Sequence, residues 1–123
     1  MTTQLQSDKD ALLALRDALR EFAAARDWDQ FHSPKNLAIA LSVEAGELLE
    51  HFQWVKEADS ASLKPEQRAR IAEELADVLL YLIRLADKVD VNLNDAALHK
   101  LELNARKYAV DLSRGSSKKY TEF

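Results

Sequence analysis

Apolar residues recur along this chain at helical spacing, three or four positions apart. Leu12, Leu15, Leu19 and Phe22 form a stripe that predicts a first helix ending near Arg26, with Ser7 and Asp10 resembling a capping box at its start. The period then breaks at Asp27-Trp28-Asp29-Gln30-Phe31-His32, which reads as a connection. Ser33-Pro34 supplies an N-cap and a first-turn proline, so a second helix is expected from Pro34 to about Lys56. After the polar stretch from Ala58 to Lys64, Pro65 opens a third helix that is expected to reach about Val89. Leu93-Asn94-Asp95 reads as a staple residue, an N-cap and a first-turn acid, opening a fourth helix to about Leu112 whose apolar side is Leu98, Leu101, Ala105 and Ala109. No segment alternates as a strand would. An all-α fold, a four-helix bundle subunit, is therefore expected.

Composition agrees with that pattern and narrows the setting. A chain of 123 residues has room for one domain, residues 1–123, with 113–123 as a basic tail. Only two glycines and two prolines interrupt it. The absence of cysteine removes disulfides, thiolate catalysis and Cys-ligated zinc, and fits a reducing compartment. The first ten residues hold no apolar leader and no run of about 18 uncharged residues occurs, so a cytoplasmic protein with no membrane partner is expected. A net charge of -4 argues against a nucleic-acid binder.

Four acids do not fit the amphipathic pattern. Glu44 and Glu47 lie on the second helix and Glu74 and Asp77 on the third, each pair three residues apart on one side of its helix. At about 100° per residue Glu44 falls among Leu37, Ala40, Leu41, Leu48 and Val55, and Glu74 among Ile71, Val78 and Leu85. One acid of this kind is ordinarily a helix-face charge or half of a local pair. Two pairs on the buried faces of consecutive helices, with no lysine or arginine interleaved to neutralise them all, call for a cation from outside the chain. Two Mg²⁺ ions would balance four carboxylates and prefer such oxygen ligands. Glu-x-x-His is absent, so a di-iron bundle is not indicated; His51 lies near the Glu44 face.

Other features stay open from the residues alone. Trp28 in a connection caps a bundle end or meets a ligand. Lys100, Asn104 and Lys107 share one side of the fourth helix, which by spacing is a solvated face. Leu79, Ile83, Ala76 and Ala86 lie opposite Glu74, so the third helix is apolar on two sides and a second copy of the chain is the expected partner. The tail Ser113-Arg114-Gly115-Ser116-Ser117-Lys118-Lys119 is small and basic, suited to disorder or to folding over an anion.

Taken together, Glu44-x-x-Glu47 and Glu74-x-x-Asp77 in order, with Trp28, Phe52-Gln53-Trp54 and the tail through Tyr120-Thr121-Glu122, resemble the all-α nucleotide pyrophosphohydrolases of the MazG-like superfamily, especially its dCTP pyrophosphatase branch. The resemblance runs from about residue 22 to the C-terminus. It implies Mg²⁺-dependent hydrolysis of a nucleoside triphosphate between the α and β phosphates, with dCTP or a modified dCTP as the expected substrate and nucleotide-pool housecleaning as the role. It implies Glu44, Glu47, Glu74 and Asp77 as metal ligands and catalytic residues, Trp28, His32, Trp54 and Tyr81 around the base, and Lys100, Asn104 and Lys107 at the phosphates. A homodimer or homotetramer is expected. The competing reading is a non-enzymatic helical adaptor that binds a protein through the second apolar face of the third helix.

Overall fold

The computed structural model describes residues 11–122. The capping box expected at Ser7 and Asp10 lies outside them. The helices are α1 (Ala11–Ala25), α2 (Pro34–Glu50), α3 (Pro65–Lys88), α4 (Leu93–Lys107) and α5 (Val110–Ser113). Single 3₁₀ turns occupy Asp29–Phe31, Glu57–Asp59 and Tyr120–Glu122. Among the described residues there is no strand, and no helix is long and apolar enough to cross a membrane.

The helix starts follow local chemistry. Ser33 Oγ accepts from the Asn36 N–H at 3.1 Å with Pro34 at the first position of α2. At α3, Pro65 again holds the first position, and the Gln67 carboxamide oxygen accepts from the Lys64 N–H at 3.0 Å. The cap of α4 is Asn92, not Asn94: the Asn92 side chain accepts from the Asp95 N–H at 3.0 Å, which moves the start of the helix back to Leu93.

Two ends come earlier than the hydrophobic period suggests. α2 stops at Glu50 rather than near Lys56, because the Phe52 N–H turns back to the Leu49 carbonyl at 2.8 Å and tightens the last turn. The aromatic residues that follow, Phe52 and Trp54, then sit in turns. α4 stops at Lys107; Tyr108 leaves helical conformation with φ -116° and ψ 70°. The Ser113 hydroxyl donates to the carbonyls of Tyr108 and Ala109 at 3.2 and 2.6 Å, holding α5 as a separate turn.

The chain forms two compact units, divided between Val91 and Asn92. In the first, α3 packs against both α2 and α1. Its buried apolar residues are Ala23, Leu37, Ile71, Ile83 and Ala86. Ile83 and Ala86 therefore belong to the chain's own core, which corrects their placement on a face left for a partner. The large apolar residues of α3 left exposed are Leu75, Leu79 and Leu82. In the second unit, the Tyr120 ring meets Tyr108 edge-on at 5.9 Å, and Lys107 Nζ lies 4.9 Å from its centre.

Two aspartates shape the first unit. Asp27 and Asp90 take left-handed backbone, φ 53° and 58°, just past α1 and α3. Short polar side chains tolerate that conformation, and here it closes Schellman-type ends. The Trp28 N–H reaches the Ala23 carbonyl and the Val91 N–H the Ala86 carbonyl, each at 2.9 Å. The first of these turns folds Trp28 back onto α1, where its ring meets Phe22 edge-on at 5.7 Å.

Candidate active site: an acid cluster beside an aromatic cavity

The packing of α2 on α3 gathers the acids. One carboxylate oxygen from each of Glu44, Glu74 and Asp77 lies within 4.8 Å of the other two. Oε2 of Glu44 and Oε2 of Glu74 are buried and have no hydrogen-bond partner. Glu47 is close enough to Glu44 to bear on its proton, through a carboxyl–carboxylate hydrogen bond and through its charge. Burial first, then that bond, then the charges of Glu47, Asp77 and Glu74, push the Glu44 carboxyl up to about 7. His51 Nε2 stands 3.7 Å from Glu74 Oε1, too far for a hydrogen bond. Among the described residues no lysine or arginine makes an ion pair with any of the four acids.

A buried carboxylate oxygen left unpaired costs about 1–3 kcal/mol, and two in one cluster is an arrangement a folded chain keeps only with compensation. The donor set is all oxygen and mostly carboxylate, which matches a hard divalent cation such as Mg²⁺ and not a soft one. On their chemistry, then, the residues fit a metal site.

Asp77 has a second neighbourhood. It lines a cavity of about 220 Å³ together with Leu80, Tyr81 and Arg84 of α3, Leu19, Phe22 and Ala23 of α1, and Trp28 and His32 from the connection. That volume is below the roughly 300 Å³ of a pocket for a whole drug-sized molecule, so the cavity suits one part of a larger ligand, such as a flat ring. Its walls are apolar and aromatic, with His32 edge-on to Trp28 at 6.4 Å. Spacing on α3 explains the grouping, since Asp77, Tyr81 and Arg84 follow one another at i, i+4 and i+7 on one side.

Three of the residues expected around a base, Trp28, His32 and Tyr81, are thus brought together beside an expected metal ligand. Trp54 is not among the lining residues; it stands in the turn after α2 and is 89% exposed. Lys100, Asn104 and Lys107 lie on α4 in the second unit.

Arg84 escaped the reading of the sequence. It is 5% exposed and carries its charge into the interior by pairing with Asp29 and, at 3.5 Å, with Asp87. Lys88 shares Asp29, and Arg20 of α1 makes a two-point ion pair with Asp87. Lys88 first holds the Asp29 carboxyl below its ordinary range, and Arg20 does the same for Asp87. The signal that finds Arg84 is the one that found the acids: a charge on the buried side of an apolar helix.

Fold and site define an all-helical protein with a carboxylate cluster beside a ring-sized aromatic cavity. Comparison with known proteins identifies the class. The profile of the MazG-like family matches residues 39–123. The chain is 47% identical over 118 residues to dCTP pyrophosphatase 1 of Rattus norvegicus, covering 94% of this chain and 69% of that protein. With dCTP pyrophosphatase 1 of Bos taurus the figures are 48%, 94% and 70%. Among solved structures, a pyrophosphatase from Archaeoglobus fulgidus superposes with a TM-score of 0.74 at 41% identity, covering 83% of this chain and 93% of that one. The chain belongs to the MazG-like family.

Proposed function

We propose that this chain, a nucleotide pyrophosphohydrolase, takes dCTP or a modified dCTP and hydrolyses it with Mg²⁺ to the monophosphate and pyrophosphate. The observation that carries this reading is the double role of Asp77, which belongs at once to the acid cluster and to the aromatic cavity. A nucleotide whose base enters the cavity then has its phosphates directed at the carboxylates. The dCTP pyrophosphatases to which the chain is similar support the choice of base.

The side chains divide the work. Trp28 and Tyr81 offer aromatic surface to the base, and stacking of this kind contributes about 1–3 kcal/mol without reading the base edge. His32 offers the polar contact that can read it. Glu44, Glu47, Glu74 and Asp77 would hold the metal, which when bound neutralises charge building on the phosphate oxygens and makes water a better nucleophile at neutral pH. The Glu44 carboxyl releases its proton to let a cation in, so loading strengthens as pH rises through about 7. Lys100, Asn104 and Lys107 are proposed as phosphate contacts and Trp54 as a further aromatic holding the base, both as the family resemblance implies.

We further propose a homodimer or homotetramer in which the chain acts as a single domain in the cytoplasm. Its support is the exposed apolar stripes Ile39 and Val43 on α2 and Leu75, Leu79 and Leu82 on α3. Product analysis with a panel of deoxynucleoside triphosphates, with Mg²⁺ and with chelator, tests the activity. Monophosphate and pyrophosphate formed only with Mg²⁺ is the expected result. A folded protein silent toward every nucleotide would favour the helical adaptor.

A further inference from the structure

Arg84 makes one contact that neutralising its charge does not require. Its Nη2 donates to Asp29 Oδ1 and its Nη1 faces Asp87 Oδ2, which satisfies the charge. Its Nε donates to Nδ1 of His32 at 3.1 Å. A guanidinium has donors only and keeps its proton at any working pH, so the ring nitrogen it meets must present a lone pair. A neutral imidazole carries a single N–H, which leaves it on Nε2.

We infer that Arg84 is a positioning residue that holds His32 as a neutral Nε2–H donor at the cavity, so that the pocket selects a base presenting a ring-nitrogen acceptor there. The inference deepens the nucleotide reading above and rests on it. Cytosine has a lone pair at N3, whereas uracil and thymine carry N–H at that position. A fixed donor pairs with the first and meets another donor in the second, leaving two polar groups unsatisfied in an apolar-walled pocket. The opposite tautomer would invert the preference. O2 is an acceptor in all three rings and does not distinguish them.

The groups around His32 act together. Arg84 and Lys88 of α3 bring positive charge, Trp28 brings an apolar ring edge, and Asp77 shares the cavity. Asp29 favours a charged imidazole, but it is engaged by both Arg84 and Lys88. Asp87 and Arg20 lie behind Arg84 and pair with each other. Burial, followed by the Arg84 charge, accordingly holds His32 below its ordinary proton affinity.

Imidazole nitrogen–proton correlation spectra of the metal-free, nucleotide-free protein test the tautomer without reference to activity. Between about pH 6 and 8 His32 of the wild type should show a lone-pair Nδ1 and a protonated Nε2. In Arg84→Gln it should populate both tautomers and take up a proton at higher pH. A wild-type His32 protonated on Nδ1 would overturn the inference, and this holds even if the variant does not fold. Kinetics supply the second arm. The ratio of kcat/KM for dCTP to that for dUTP should fall about tenfold in Arg84→Gln, and Arg84→Lys, which keeps the charge without the fork, should not restore it. Loss of stability alone lowers both substrates alike and leaves the ratio in place; a folded Arg84→Gln with the wild-type ratio would overturn the selection role. If the wild type turns over no nucleotide, the nucleotide reading fails and base selection with it, while the spectra still decide the tautomer.

Discussion

Replacing Glu44 with glutamine should make the metal-free protein more stable and the working enzyme inactive. The Glu44 carboxyl stands at about 7 against an ordinary 4.5. At 1.36 kcal/mol per pH unit that difference sets a ceiling of about 3 kcal/mol on the cost of ionising it in the fold. One oxygen is buried, but the residue is partly open to water, so screening reduces the cost to about 1–2 kcal/mol. For a chain of this size that corresponds to roughly 4–8 °C in Tm. The sign follows from proton uptake. Below pH 4.5 the carboxyl is protonated in both folded and unfolded chains and costs nothing. As pH rises toward about 7 the unfolded chain releases its proton first and stability is lost, so the benefit of Glu44→Gln grows through that window and is complete above it. Thermal melts in chelator at about pH 4.5 and 8 measure it. Added Mg²⁺ should reverse the order, raising the wild type by mass action and the variant little. A variant less stable than the wild type at the higher pH without metal, or an equal gain at both, would refute the account of the cluster.

Trp54→Ala should leave Tm nearly unchanged, because an 89% exposed ring contributes no core packing; if it holds the base, KM should rise by about one to two orders of magnitude for every accepted nucleotide, and an unchanged KM removes it from the site. Leu79→Glu, at an exposed position of α3, should lower the mass measured by light scattering together with the activity, and a mass left unchanged counts against assembly through this face. Asp87→Asn should cost about 1–3 kcal/mol in urea unfolding at neutral pH, since Arg20 and buried Arg84 both lose a partner. Arg20 holds the Asp87 carboxyl low, so its contribution is present above the ordinary carboxylate range and is lost as pH falls through the lowered value; the gap to wild type should close in acid, and a gap independent of pH would contradict the pairing.

The four long helices and the gathering of the acids were legible in the sequence because each rests on a short-range pattern. Apolar spacing marks a helix, and a charge on an apolar stripe marks a site. Ser33-Pro34 and Pro65 likewise announced their helix starts through local hydrogen bonding. What escaped depends on geometry beyond one turn. The turn past α1 is made by Asp27 rather than glycine, so nothing in the composition announced that Trp28 folds back onto Phe22. Ile83 and Leu79 are four residues apart on one apolar side, yet one is buried in the chain and the other exposed, a division set by how the neighbouring helices pack on α3. Arg84 lies seven residues from Asp77, and only its contacts with Asp29, Asp87 and His32 reveal why a charge is kept there.

The central claim is that the four carboxylates hold Mg²⁺ where a nucleotide seated in the Trp28, His32 and Tyr81 cavity presents its phosphates. Chromatographic resolution of the products from dCTP tests it most directly, comparing wild type with Asp77→Asn, in Mg²⁺ and in chelator. The account predicts dCMP and pyrophosphate from the wild type in Mg²⁺ alone and none from the variant, whose residue belongs to both cluster and cavity. Release of orthophosphate and dCDP, turnover in chelator, or an Asp77→Asn enzyme as active as wild type would contradict it.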